Sequence, residues 1–208
     1  VGTTVVTAAL GLTLTRAGHD VLLVDLAADL PAALGLPEPD GPGVTDWLAA
    51  GPDVPADGLG RIELGAGPGL AVLPRGRGGL GPPDRLEALV AALDHGRTVV
   101  ADCGVLGRPR GAVGDPTVVA ARSTHSLLVT RACYLALRRA TDPPLRPSGV
   151  VLVTEPGRAL DRADVEAVVG APVRAEVPLD PAVARAVDAG LLASRLPRGL
   201  ERSLRRAA

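Results

Sequence analysis

The chain has no lysine, methionine, phenylalanine, asparagine or glutamine, and a single isoleucine, Ile62. All 22 basic side chains are therefore arginines, so no lysine of this chain can touch a phosphate. The bias fits a GC-rich genome better than a functional demand. Aromatic residues are limited to Trp47 and Tyr134. The two cysteines, Cys103 and Cys133, lie in apolar runs without metal-ligand spacing, which argues against a disulfide framework and leaves both as small buried hydrophobes. No uninterrupted apolar run approaches the roughly 20 residues a membrane helix needs, and no signal-peptide pattern is visible, so a cytoplasmic protein is expected. The formal charge of −1 excludes a protein that coats nucleic acid by bulk charge. His19, His95 and His125 are scattered without ligand spacing and read as surface-loop residues.

Charge is unevenly spread. Residues 1–60 hold one arginine against eight carboxylates, whereas residues 185–208 hold six arginines against two. A basic end on an acidic body reads either as a solvated final helix or as a surface for an anionic partner. Leu192, Leu196, Leu200 and Leu204 recur every fourth residue there. They predict a final helix near 197–207 docked on the domain, with Arg198, Arg202, Arg205 and Arg206 facing outward for weak contact with DNA or a membrane.

At 208 residues the chain suits one well-buried domain, 1–208. Short, continuously apolar runs at 21–24, 70–73, 98–101, 126–129, 150–153 and 173–177 read as strands buried on both faces of a parallel sheet. Helical spacing appears at 4–17, 44–50, 83–93, 115–122, 132–140, 161–169 and 180–189, with capping signals at Asp161 and Asp180. Gly and Pro crowd 35–43, 51–69 and 74–83, which read as loops. Strand–helix alternation of this kind predicts an α/β fold, a doubly wound, mostly parallel sheet with helices on both faces.

The opening Val1-Gly2-Thr3-Thr4 reads as the second half of a phosphate-binding loop, G-x-x-x-x-G-K-[ST], with Thr3 in the lysine position. The apolar run from Val5 to Leu12 carries it straight into a helix N-terminus, where free amides and the helix dipole favour an anion. A plain capped helix is the alternative. Two further residues favour phosphate: Asp25 and Asp102 each end an apolar strand, as does the carboxylate that holds Mg²⁺ or its water in P-loop enzymes.

In these features the chain resembles the ParA/MinD group of P-loop ATPases with a deviant Walker A motif. Val1-Gly2-Thr3-Thr4 leads to Val21-Leu22-Leu23-Val24-Asp25, and the 23 positions from Gly2 to Asp25 match the family spacing. Val99 to Gly104 resembles the Walker B and switch segment, and Val150 to Glu155 resembles the strand that ends in an adenine-contacting Asn. Ala175 to Pro181 resembles the late IPxDxxV stretch. The lysine-free loop is closest to the CpaE/TadZ-like branch associated with septum-site placement, pilus localisation and chromosome partitioning.

The resemblance implies ATP and Mg²⁺ as cofactors and a homodimer on nucleotide binding, with a protein cargo or localisation partner. It implies nucleotide contacts at Gly2, Thr3, Thr4, Val5, Thr154, Glu155 and Pro178, metal contacts at Thr4, Asp25 and Asp102, and a catalytic part for Asp25. It places the protein in the cytoplasm, at most peripheral to membrane or nucleoid. Its signature lysine would precede Val1, so a truncated chain lacking the first strand is expected, with an interrupted sheet. Ala27 replaces the second Asp of the family's D-x-D, and Thr154 or Glu155 stands for the Asn. Binding should survive these losses better than turnover, because the missing groups meet charge that develops in the transition state. Arg75 or Arg77 could supply a substitute cation. Three functions follow: a nucleotide-switched positioning ATPase with weak hydrolysis, a non-hydrolysing localisation scaffold, or a metabolic enzyme on a related P-loop fold.

Overall fold

The structure, a computed structural model, describes residues 2–52, 54–93, 96–105, 114–141 and 143–207. Helix α1 spans Thr3–Arg16 and leads into strand β1, Val21–Asp25. Two short helices follow, α2 (Leu30–Leu34) and α3 (Val44–Ala49), then a 3₁₀ segment over Ala56–Ile62. Strands β2 (Leu64–Gly67) and β3 (Leu70–Leu73) form a hairpin, followed by α4 (Pro83–Leu93) and β4 (Thr98–Asp102). The remainder alternates regularly: α5 (Thr117–Arg122), β5 (Leu127–Arg131), α6 (Tyr134–Ala140), β6 (Gly149–Thr154), α7 (Arg162–Val169), β7 (Val173–Pro178), α8 (Pro181–Asp188) and α9 (Arg198–Leu204).

The strands form two sheets. One has the order β2-β3-β1-β4, with β3, β1 and β4 parallel and β2 antiparallel at the edge. The other is parallel, in the order β5-β6-β7. The expected interruption thus falls between β4 and β5, each of which has a strand partner on one side among the described residues. Both edges carry half-buried apolar side chains, Val99, Val100 and Ala101 on one, Leu127, Leu128 and Val129 on the other.

Continuously apolar strands serve two cores at once, because successive side chains point to opposite faces. Val21 and Leu23 of β1 join α1 in a core that also takes Val151, Ala175 and Val177 from the second sheet. Leu22 and Val24 face the other way, toward Trp47, Leu86 and Leu89. In β6, Val150 and Leu152 pack with Leu137, Val165 and Val169. Helix α1 therefore belongs to a core shared by both sheets, and it approaches β1 closely: a Cβ on Gly11 would sit 2.6 Å from Leu23 Cδ2.

Local signals are honoured. Asp161 accepts the amides of Ala163 and Asp164, and Asp180 that of Ala182, capping α7 and α8. Leu192, Leu196, Leu200 and Leu204 are all buried, but Pro197 breaks their run, so only the last two lie on α9. Trp47 packs inside α3's core, donates to the Pro55 carbonyl, and lies under the Arg85 guanidinium at 5.0 Å. The expectation of loops throughout 51–69 is corrected: β2 and the 3₁₀ segment lie there. Leu-Gly-Ala-Gly carries no strand period; β2 exists because the turn at 68–69 folds it back onto β3.

Candidate functional site

An open cleft of about 1040 Å³ lies over the carboxyl ends of β3, β1 and β4 and the N-terminus of α1. Ligands of parallel α/β sheets bind at this end of the strands, and the volume suits a nucleotide-sized molecule. Gly2 enters α1 with φ of +83°, a left-handed conformation open to glycine. Val6 is the residue whose amide reaches the Gly2 carbonyl, at 2.9 Å. The amides of Thr3, Thr4 and Val5 before it have no carbonyl within their own helix. Gly2, Thr3, Thr4 and Val5 all line the cleft.

The two strand-terminal carboxylates are brought side by side. Asp25 and Asp102 are register partners in the parallel β1–β4 pair, and both are fully buried. Asp25 Oδ1 accepts the amides of Ala27 at 3.0 Å and Ala28 at 2.7 Å, and Oδ2 accepts that of Leu30 at 3.1 Å. This carboxylate shapes the loop leaving β1. Burial pushes its pKa up, opposed by the three amides and reinforced by the charge of Asp102. Asp102 differs. Its Oδ1 accepts the Gly104 amide at 2.9 Å, while its buried Oδ2 has no hydrogen-bond partner among the described residues. A buried carboxylate oxygen left open costs free energy unless a cation or water meets it.

Mg²⁺ prefers oxygen ligands, keeps several waters and takes one or two carboxylates plus phosphate oxygens. Asp102 Oδ2 and the Thr4 hydroxyl fit that donor set. No cluster of three or more His, Cys, Asp or Glu occurs among the described residues, so any metal here would complete its shell with ligand and water.

The loop after β1 carries a strained residue. Ala28 has φ of +87°, the one non-glycine residue with positive φ among those described. Ala27, Ala28 and Asp29 line the cleft. Asp29 was singled out by no motif; its signal was only its place two residues beyond Ala27. Arg75, just beyond β3, also lines the cleft, whereas Arg77 is exposed and does not. Cys103 lines it too, but burial and the neighbouring Asp102 push its thiol up to about 12, so it stays protonated at neutral pH.

Thr154, Glu155 and Pro178 are not brought to this cleft. Thr154 and Pro178 are register partners at the ends of β6 and β7. Glu155 is committed to Arg131 at 2.8 Å and to Arg158. Among the arginines of the basic end, Arg198, Arg202, Arg205 and Arg206 are exposed, and Arg205 pairs with Glu201 at 2.9 Å. No helix among the described residues is long and apolar enough to cross a membrane.

A family model described as the CobQ/CobB/MinD/ParA nucleotide binding domain matches residues 1–193. No curated protein sequence matches the chain. Among solved structures, the MinC:MinD cell division protein complex of Aquifex aeolicus superposes with a TM-score of 0.77 at 20% identity, covering 100% of this chain and 90% of that one. The septum site-determining protein MinD of Pyrococcus horikoshii, complexed with Mg-ADP, gives 0.74 at 19% identity, covering 99% and 89%. A ParA family ATPase of Chlorobium tepidum gives 0.73 at 19%, covering 98% and 91%.

Proposed function

We propose that this chain, which belongs to the CobQ/CobB/MinD/ParA nucleotide-binding domain family, binds ATP with Mg²⁺ as a dimerising switch in spatial organisation and hydrolyses it slowly. One observation carries the nucleotide reading. Buried Asp102, whose Oδ2 has no hydrogen-bond partner among the described residues, directly precedes Cys103 and Gly104, which line the cleft together with Gly2, Thr3, Thr4 and Val5 at the start of α1. Amides of Thr3, Thr4 and Val5 would hold phosphate oxygens. The Thr4 hydroxyl and Asp102 would hold Mg²⁺, which neutralises phosphate charge when bound. Asp25 contributes by fixing the loop that faces the phosphates. Thr154 and Pro178, outside the phosphate cleft, are assigned to the base. Glu155, already paired twice, is given no part.

Slow turnover follows from the side chains present. Thr3 brings no charge to the transferring phosphoryl group, and Ala27 brings no carboxylate to a water. Both losses fall on interactions that strengthen in the transition state.

Exposed apolar residues support the dimer. Val105, Tyr134, Leu135 and Leu179 stand in solvent just beyond the ends of β4, β5 and β7. Val105 also lines the cleft, so a second copy bound over it would respond to the nucleotide. The MinC:MinD cell division protein complex supports a protein partner for a relative, and we assign this chain a positioning role by that likeness. The exposed arginines of the basic end are assigned a weak contact with DNA or an anionic membrane.

Isothermal titration with Mg²⁺-ATP, steady-state phosphate release and sedimentation with and without nucleotide test the proposal together. Binding with nucleotide-dependent dimerisation and little phosphate release is expected. Fast release, or no nucleotide binding, would defeat it. The loss of the lysine at position 3 and of the carboxylate at position 27 favours a non-hydrolysing scaffold as the second reading, which the release assay separates.

A further inference from the structure

Resting on the nucleotide-binding reading above, we propose that Arg75 replaces the absent lysine as the cation that meets the outermost phosphate group of the bound triphosphate. The chain contains no lysine, and its phosphate loop has Thr3 at that position. Among the described residues lining the cleft, Arg75 is the one that carries positive charge. It arrives from β3, not from the loop before α1.

Its backbone is held in place from a distance. The Thr45 amide and hydroxyl both donate to the Arg75 carbonyl, each at 2.8 Å, and Thr45 is fully buried. The Thr45 hydroxyl also accepts the Gly78 amide at 3.0 Å. Gly43 lies so close that a Cβ there would sit 2.2 Å from the Gly76 nitrogen. The segment 74–78 is thus clasped by the start of α3.

The guanidinium is oriented as well. Nε donates to the Leu26 carbonyl at 3.3 Å. That leaves both terminal nitrogens, with four N–H donors, for another acceptor. Arg75 forms no ion pair among the described residues. Leu26 adjoins Ala27, the position where the family resemblance places the water-supporting carboxylate. The charge therefore sits by the end of the anion that would be transferred, and its planar donors suit phosphate oxygens.

The test compares Mg²⁺-ATP and Mg²⁺-ADP titrations for Arg75→Gln, Arg77→Gln and the unaltered chain. Glutamine can still donate to the Leu26 carbonyl, so the loop contact is kept while the charge is lost. A charged hydrogen bond of ordinary strength corresponds to about a tenfold loss in ATP affinity. ADP affinity should change less than about twofold, since it lacks the outer group. Arg77→Gln, exposed and outside the cleft, should change neither. Adding Thr3→Lys to Arg75→Gln should restore the preference for ATP, whereas a merely structural part for Arg75 would weaken ATP and ADP alike in Arg75→Gln. Unchanged ATP affinity in Arg75→Gln overturns the assignment, as does equal weakening of both nucleotides. Failure of the unaltered chain to bind either nucleotide overturns the underlying reading as well.

Discussion

Asp25 and Asp102 are neighbours across the β1–β4 ladder, yet their carboxylates are used in opposite ways. Among the described residues, Asp25 accepts three backbone amides, whereas Asp102 accepts one and keeps a buried oxygen open. The first builds the loop, and the second is the group on which the metal proposal rests. Two Walker-type acids in sequence thus become one carboxylate held through both oxygens and one held through a single oxygen among the described residues.

Asp102→Asn should separate these parts. The Asn carbonyl still serves the Gly104 amide, and removing a charge beside Asp25 relieves repulsion, so thermal stability should hold or rise. The enhancement of ATP binding by Mg²⁺ should disappear. Titrations with and without Mg²⁺ check this, and an undiminished Mg²⁺ effect would count against the metal assignment.

Thr3→Lys combined with Ala27→Asp should raise turnover more than affinity. Preorganised charge of this kind is worth on the order of 10²–10³ in rate where it is fully formed. At least a roughly tenfold gain in phosphate release is expected, with a smaller change in the dissociation constant. A gain in affinity alone would show that the introduced groups meet only the ground state.

Ala28→Gly should stabilise the fold. A left-handed alanine costs roughly 1–2 kcal/mol, and glycine removes that strain while adding about 0.4–1 kcal/mol of unfolded-state entropy. The net gain should be about 0.5–1 kcal/mol. Urea unfolding would measure it, and a destabilised variant would mean that the Ala28 methyl is needed in the cleft wall.

Glu201 links α9 to α1 and should make stability acid-sensitive. It accepts from Arg205 at 2.9 Å and Arg16 at 2.7 Å, and these partners, Arg205 foremost, hold its pKa below the ordinary 4.5. Because the folded value is depressed, the stabilisation is complete above 4.5 and is lost as pH falls through the folded value. Unfolding of the unaltered chain and Glu201→Gln, followed from pH 7 downward, should converge in acid. A gap that persists well below that window would assign the effect to packing instead.

Much of this architecture is local, and local interactions are visible in a sequence. The runs at 21–24, 70–73 and 150–153 are strands in the structure, because an uninterrupted apolar stretch of that length must be buried on both faces. Asp161 and Asp180 announce their helices because a cap needs only its own next few amides. The anion-ready start of α1 and the two strand-end acids were legible for the same reason. Tertiary structure alone decided which oxygen stays open. Asp25 and Asp102 share a sequence pattern, but the loop folding back over Asp25 brings amides to both of its oxygens. It also chose Arg75 over Arg77, through a clasp from Thr45, which is 30 residues away in sequence. Thr154, Glu155 and Pro178 matched a motif by order, yet Thr154 and Pro178 end strands of the second sheet, with Glu155 next to Thr154, and none of the three lines the cleft. Spacing along a chain determines what a segment can become, whereas the partners of a buried polar atom are set by whichever distant segments close around it.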